Sequence, residues 1–331
     1  MFWRIVWFFA TLPVAFLSWR SIFQRKKGFV IMAFWTDRAV SRPMWSGAAL
    51  AGTAMVIYSV HDLALKWFAL GVHPLWVFWG AQIGSLVVSV AVLLGKHGAG
   101  AWRPIRVPPV LLRAVMGVAT GIFGILGMVS IPLADSYTIV FLKPVLASLV
   151  ALAWLGERPT RVQVGAMAVA TVGVFVAFSP FGQSLTWGHA SVLLAVVISS
   201  WGMALTRSIT RSEAPEVVVV WTGVVGLGVS SVLLWWTGAV PVWPVVLQAG
   251  AMGTLLGVGM VLWVRALARA PVAEIAPLQY PQLLWGALAG WWVFGDVPSL
   301  GILLGGGLVA CAGLLVLRAA ARPPSAPAVV P

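Results

Sequence analysis

The strongest constraint on this chain is a succession of unbroken apolar runs, each about as long as a bilayer is thick. Ten can be marked off, at 46–69, 74–95, 107–130, 134–155, 161–179, 188–206, 215–238, 243–264, 271–294 and 299–317. A helix rises about 1.5 Å per residue, so about 20 residues cross a hydrocarbon layer about 30 Å thick. Lipid offers no hydrogen bonds, so a spanning backbone must be a helix or part of a closed barrel. Barrel strands alternate apolar and polar with period two. These runs are apolar throughout, and Pro and Gly punctuate their junctions, as in "LGVHPL", "LGERPT" and "FGDVPS". The expected class is therefore an all-α integral membrane protein with ten transmembrane helices.

Composition agrees. The chain is 61% hydrophobic and 9% charged, against about 25% charged in soluble domains. It lacks the polar residues to cover a water-facing exterior, so the lipid bilayer is its expected surroundings. Its 20 Trp suit the membrane interface.

The charge is lopsided, with 21 Lys+Arg against 8 Asp+Glu, a formal net of +13. In a soluble protein such an excess suggests nucleic acid. Here it falls in short loops on one side. Segments placed inside hold Arg20, Arg25, Lys26, Lys27, Arg38 and Arg42, then Lys96, Arg103 and Arg106, then Arg158 and Arg161. Arg207 and Arg211, Arg265 and Arg269, and Arg318 and Arg322 complete the set. The outside loops carry almost no basic residue; Lys66, Asp135 and Asp296 lie near outer ends. Positive residues stay on the cytoplasmic side. A multi-pass protein of the cell's inner membrane, with a cytoplasmic C-terminus and no nucleic-acid partner, is expected.

Residues 1–45 fit this scheme less well. "MFWRIVWFFATLPVAFLSWR" followed by "QRKK" reads as an eleventh span, an interfacial helix or a signal-like segment. Met32 and Met44 are alternative starts. The expectation is an N-terminal extension without a functional role. Residues 319–331 form a Pro/Ala-rich cytoplasmic tail.

Between these ends the chain repeats itself. At an offset of 139 residues (271 − 132), Pro132, Ala134 and Asp135 fall on Pro271, Ala273 and Glu274. At the same offset Gly156, Glu157 and Pro159 fall on Gly295, Asp296 and Pro298. Lys66 and Pro74 match Arg207 and Pro215 at 141 (207 − 66). The units are 46–180, with spans one to five, and 181–318, with spans six to ten. An odd number of spans makes the second copy enter from the opposite side. Inverted repeats suit secondary transporters, in which two such halves expose one midplane site to each side in turn.

The run "PLADSYTIVFLKPVLASLVALAWLGER" (132–158) is similar to the fourth span and following loop of the drug/metabolite transporter superfamily, EamA-like branch. "MVIYSVHDLALKW" (55–67) looks like the first span of a subgroup that carries M-x-x-(F/Y)-S-x-x-D-x-x-x-K. The resemblance covers about 46–318. It implies ten spans in two five-span repeats and transport of a small-molecule solute such as an amino acid, nucleoside-like compound, vitamin or drug. The chain departs from that subgroup in its second span. There "FWGAQIG" places Trp79 and Gly80 where the subgroup has Phe-Arg.

Several polar residues interrupt the oily runs. Lys143 lies about ten residues from either end of its span. A charge there costs roughly 2.5–3.5 kcal/mol on insertion scales, so it is expected to face the bundle interior as a substrate anchor, or as half of a buried pair. Pro144 frees a carbonyl one turn back and kinks the helix. Asp62, beside His61, is read as the partner of Lys143 or of Lys66 at i+4. Gln279, Tyr280 and Gln282, set among Pro277 and Pro281, read as cavity lining. Glu274 reads as a helix N-terminal acid. Tyr58, Trp79, Gln82, Tyr137, Trp201 and Trp221 are candidate cavity walls able to stack on a flat or cationic solute. The small-residue run 301–315 lets backbones approach closely, so spans five and ten read as packing scaffold or a homodimer face.

Other chemistry finds little support. Cys311 is the one cysteine and the 4 His show no ligand spacing, so no metal or cofactor is expected. No G-x-x-x-x-G-K-[ST] loop occurs, which leaves an ion or solute gradient as the energy source. The leading reading is a secondary transporter, not an enzyme. A membrane-embedded lipid-modifying enzyme would need clustered His, Asp or Glu, and a scaffold would leave Lys143 without a purpose.

Overall fold

The structure is a computed structural model. It describes residues 45–98, 100–157, 159–178, 186–279, 281–295 and 300–320. Residues 1–44 of the N-terminal extension and 321–331 of the C-terminal tail lie outside the described residues, as do Arg158, Tyr280 and Asp296.

The described residues fold into α-helices joined by short turns. In chain order these are α1 (Trp45–Phe68), α2 (Pro74–His97), α3 (Val107–Ser130), α4 (Leu133–Val140), α5 (Leu142–Leu155) and α6 (Arg161–Phe178). There follow α7 (Trp187–Ile209), α8 (Pro215–Thr237), α9 (Trp243–Arg269), α10 (Val272–Ile275), α11 (Pro281–Phe294) and α12 (Leu300–Ala320). Prolines open several of them, at the first-turn position where a missing N–H costs nothing. His73 caps α2, its Nδ1 accepting from the Leu75 amide at 3.4 Å.

Among the described residues seven helical stretches are long and apolar enough to cross a membrane. They are Gly47–Phe68, Pro74–His97, Val107–Ser130, Asp135–Leu155, Trp187–Ile209, Pro215–Thr237 and Trp243–Arg269. The apolar stretches Arg161–Val176 and Leu303–Ala312 are shorter. The chain is a multi-pass membrane protein.

Two spans are broken, each for a visible reason. Pro144 has no N–H for the Val140 carbonyl and its ring crowds that carbonyl. The helix stops at Val140 and restarts at Leu142, with the Phe141 amide bonding back to the Tyr137 carbonyl at 3.0 Å. In the later span Pro277 likewise has no N–H for the Ala273 carbonyl. A 3₁₀ turn, Ala276–Gln279, follows α10 there. Downstream of each break a glycine ends the helix at positive φ, Gly156 at 72° and Gly295 at 72°, a conformation that only glycine adopts without strain.

The exterior is oily and the interior holds the polar groups. Trp235 is 86% and Trp292 88% exposed, along with many Leu and Val side chains, while Gln82, Ser85, Ser89, Gln279 and Gln282 are buried. This reverses the soluble arrangement and follows from a hydrocarbon solvent.

Helix α9 packs on α2 and α1, α7 on α3 and α5, α8 on α2 and α3, and α12 on α6. The seam between α2 and α9 is the tightest. A Cβ on Gly84 would run into the Gly250 carbonyl oxygen, and one on Gly253 into the Ala81 carbonyl oxygen. Bare backbone on both sides lets the axes close up.

The loops collect at two ends. At one, the Glu213 carboxylate accepts from the Ile105 amide (3.0 Å) and the Arg106 amide (2.6 Å). There too Arg207 Nε donates to Glu157 (3.2 Å), and the Val272 amide donates to the other Glu157 oxygen (2.9 Å). At the other end, Trp76 Nε1 donates to the Ala239 carbonyl at 3.2 Å, and Lys66 Nζ donates to the Ile131 carbonyl at 3.4 Å and sits 4.8 Å from the Phe294 ring centre.

Gly84→Leu should drive a side chain into the α9 backbone and destabilise the protein by on the order of 2 kcal/mol or more. Gly228, with open space around it, should accept Ala with little change. Thermal unfolding of both variants in detergent checks this.

Candidate functional site

The helices enclose a cavity of about 290 Å³. Its walls come from α1, α2, α3, α7, α8 and α9, and from both broken spans.

On α1, Tyr58, His61 and Asp62 face the cavity along with Met55 and Leu65. Residues 55, 58, 62 and 65 recur at helical spacing, so one face of α1 serves the site. Asp62 is heavily engaged. The Tyr137 hydroxyl and Gln282 Nε2 each donate to Asp62 Oδ2 at 3.1 Å. His61 Nδ1 lies 3.3 Å from Oδ1. One carboxylate thus ties α1 to both broken spans, through Tyr137 on α4 and Gln282 on α11. Lys66, the i+4 alternative, instead reaches Ile131 and Phe294.

Lys143 lines the cavity on α5. It begins the segment restarted after the Phe141 break, and its carbonyl accepts from Ser200 Oγ at 3.4 Å. No ion pair within 4.0 Å joins it to Asp62 or to any other described carboxylate. The expected direct pairing is therefore replaced by two charges on one shared wall.

The remaining sequence candidates divide. Tyr58, Gln82, Tyr137, Gln279 and Gln282 line the cavity. Tyr137 is 1% exposed. Gln279 Nε2 donates to the Ala276 carbonyl at 3.1 Å within the 3₁₀ turn. Gln82 fits against Gly226, where a Cβ would collide with its amide nitrogen. Pro144 is buried in the helix break but does not line the cavity. The tryptophans are placed elsewhere. Trp79 Nε1 donates to Ser231 Oγ at 2.8 Å, Trp221 Nε1 donates to the Trp102 carbonyl at 2.9 Å, and Trp201 lies 6.3 Å from the Trp154 ring. None of the three is among the lining residues. Their indoles make interhelical or interfacial contacts, as amphipathic rings do. Tyr280 lies outside the described residues.

Arg113 on α3 is a lining residue that the loop-charge reading passed over. Its Nε donates to Thr206 Oγ1 at 2.5 Å, and Thr206 donates on to the Gly202 carbonyl at 2.7 Å. The guanidinium lies over Gly117, where a Cβ would come within 2.7 Å of Nη1. Gly117, Gly121 and Gly124 follow at i+4, i+8 and i+11 on the same face and line the cavity. That spacing was the available signal: an arginine inside a span, heading a glycine stripe.

Two further polar atoms of the lining are buried without a partner, His61 Nε2 and Thr120 Oγ1. Buried polar groups are normally satisfied, so these two atoms stand out in the cavity wall. No group of three or more His, Cys, Asp or Glu among the described residues could hold a metal ion.

Comparison with known proteins agrees with this geometry. Residues 186–318 match the EamA-like transporter family. That stretch is the part of the chain similar to EamA-like transporters. It is 26% identical to a riboflavin transporter of Rhizobium johnstonii over 289 residues, covering 85% of this chain and 92% of that one. It is 27% identical to a pseudopaline exporter of Pseudomonas aeruginosa over 280 residues, covering 82% and 96%. A solved crystal structure superposes with a TM-score of 0.68 at 20% identity, covering 85% of this chain and 99% of the other; that likeness concerns the fold.

Tyr137→Phe removes a donor from the Asp62 carboxylate and should cost about 2 kcal/mol of stability. Trp235→Phe, at an 86% exposed position away from the cavity, should stay within about 0.5 kcal/mol. Denaturant titration in detergent separates the two.

Proposed function

We propose that this protein is a secondary transporter of the EamA-like kind that carries a small organic metabolite across the inner membrane by alternating access around its central cavity. The observation that carries the reading is the cavity itself. It sits inside the bundle, both broken spans converge on it, and it is lined by charged and unpartnered polar groups. Broken helices that meet at mid-membrane are where transporters hold substrate.

Ten spans in two inverted repeats, 46–180 and 181–318, complete the proposal. Exchange of the halves turns the α3–α7 contact into α9–α1 and the α5–α7 contact into that of α1 with the second broken span. It maps α6–α12 and α2–α8 onto themselves. The loop contacts support the same threading. Glu157 and Thr186 flank α6 at opposite ends, and α11 runs from the Val272 end toward Lys66. The basic loops assign the first of these ends, with Arg207, to the cytoplasm. The tight α6–α12 packing gives spans five and ten a scaffold role, and no dimer is proposed.

The relatives' names, a vitamin transporter and a metabolite exporter, favour a solute of that size class. A lipid-modifying enzyme is poorly supported, because Asp62 is the one acidic side chain lining the cavity among the described residues and it is already bonded.

Purified protein in liposomes should move a solute without chemically changing it. Lys143→Met should abolish that flux while leaving expression and folding intact; unchanged flux would remove Lys143 from the mechanism. Ser325→Cys, in a Cys311→Ala background, should resist an impermeant maleimide in intact cells and react after lysis. Labelling without lysis would reverse the orientation.

A further inference from the structure

The cavity holds three formal charges among its described lining residues, Arg113, Lys143 and Asp62. They are not equivalent. Asp62 accepts from Tyr137 and Gln282 and has His61 beside it. A carboxylate has about four acceptor positions, so little remains for a guest. The cations stand otherwise. Arg113 spends its Nε on Thr206, a neutral hydroxyl. No described carboxylate lies within 4.0 Å of either Arg113 or Lys143. Asp62 acts on Lys143 electrostatically across the cavity, but neither cation has an acid in direct contact, which is costly for a charge inside the bundle.

The rest of the protein does not repeat this pattern. Arg207 has Glu157, and Arg265 grips the buried Glu216 through Nε and Nη2. Buried or half-buried arginines here are matched with acids, and the two cations facing the cavity are left for the guest. The pinned Nε also fixes the direction of the guanidinium. Its Nη1 lies over Gly117, on the bare face of α3. Such a fork suits a planar oxyanion.

The apolar part of the wall describes the rest of the guest. Met55, Met116, Met128, Met203 and Met260 line the cavity with Phe78. Thioethers adapt their shape and pack well against aromatic rings. The glycine stripe of α3 leaves a smooth surface beside them.

We infer that the site takes organic anions, a flat apolar body bearing a carboxylate or similar oxyanion, with the oxyanion held by Arg113 and Lys143. This rests on the transport reading for its site but concerns the charge of the solute. It leaves Asp62 as a positioning residue that holds Tyr137 and Gln282 in the wall.

The test pairs acids with their neutral amides on the purified full-length protein: benzoate with benzamide, indole-3-acetate with indole-3-acetamide, and 2-naphthoate with 2-naphthamide. Binding is read by thermal shift and calorimetry. At least one acid should bind about tenfold or more tighter than its amide. Arg113→Gln and Lys143→Met should each shrink that ratio to about threefold or less, and Arg113→Lys should keep more of it than Arg113→Gln. Should Arg113→Gln fail to fold, the Lys143→Met and Arg113→Lys ratios decide. Equal binding of acids and amides, binding by no acid, or a ratio untouched by these variants would overturn the inference. Flux of the same compounds into liposomes is read separately. Selective binding without flux counts against transport alone, and flux that favours the amide counts against the anion alone.

Discussion

A hydrocarbon solvent supplies no hydrogen bonds, and the arrangement of this protein follows from that one fact. Every backbone polar group must be satisfied inside a helix or beside another polar group. The two places where the helices break are therefore the places where water or solute must be allowed. Pro144 ends one helix at Val140, and a 3₁₀ turn holding Pro277 interrupts another ahead of Pro281. Both breaks abut the same cavity. Sequence-level helix breakers and the polar hollow are one feature seen twice.

The constraint also explains the seam of glycines between α2 and α9. In water, helices are pressed together by the release of solvent from apolar faces. In lipid that force is absent, so close approach and dispersion must hold them. Gly84 and Gly253 put backbone against backbone at the Gly250 and Ala81 carbonyls. The seam fixes α2 and α9 beside the cavity and frees α1 and α3 to present their functional faces.

Much of this was readable from residue order alone. Span positions followed the apolar runs to within a few residues: the run 107–130 coincides with Val107–Ser130, and 215–238 runs one residue past Pro215–Thr237. Hydropathy is a property of local sequence, so local sequence reports it. The interior position of Lys143 was legible because a charge at that depth has few other places to go. The tryptophans misled for the complementary reason. An indole is as much at home against another helix or at the interface as in a cavity wall, and only three-dimensional packing separates these settings. Trp79 and Trp221 went to Ser231 and the Trp102 carbonyl. Arg113 was overlooked because counting loop charges draws attention to helix ends. It stands two turns inside α3, and its meaning depends on Thr206 from a distant helix.

The cavity and the charged ends of the bundle are mechanically joined. Glu157 follows the first broken span, and its carboxylate receives both Arg207 from α7 and the Val272 amide at the head of the second broken span. Arg207 also donates to the Leu267 and Ala268 carbonyls at the C-terminal turn of α9, at 2.9 and 3.0 Å. A single acid and a single base thus clasp α5, α7, α9 and α10 at one end of the bundle. These bonds share the Glu157 carboxylate and the Arg207 guanidinium. At the other end Lys66, which falls on Arg207 at an offset of 141 residues, reaches the Ile131 carbonyl at the end of α3, as Arg207 reaches the end of α9. In an alternating-access cycle the two clasps would work in opposition. Asp62 would then carry movement of the broken spans to α1, because it bonds one residue from each.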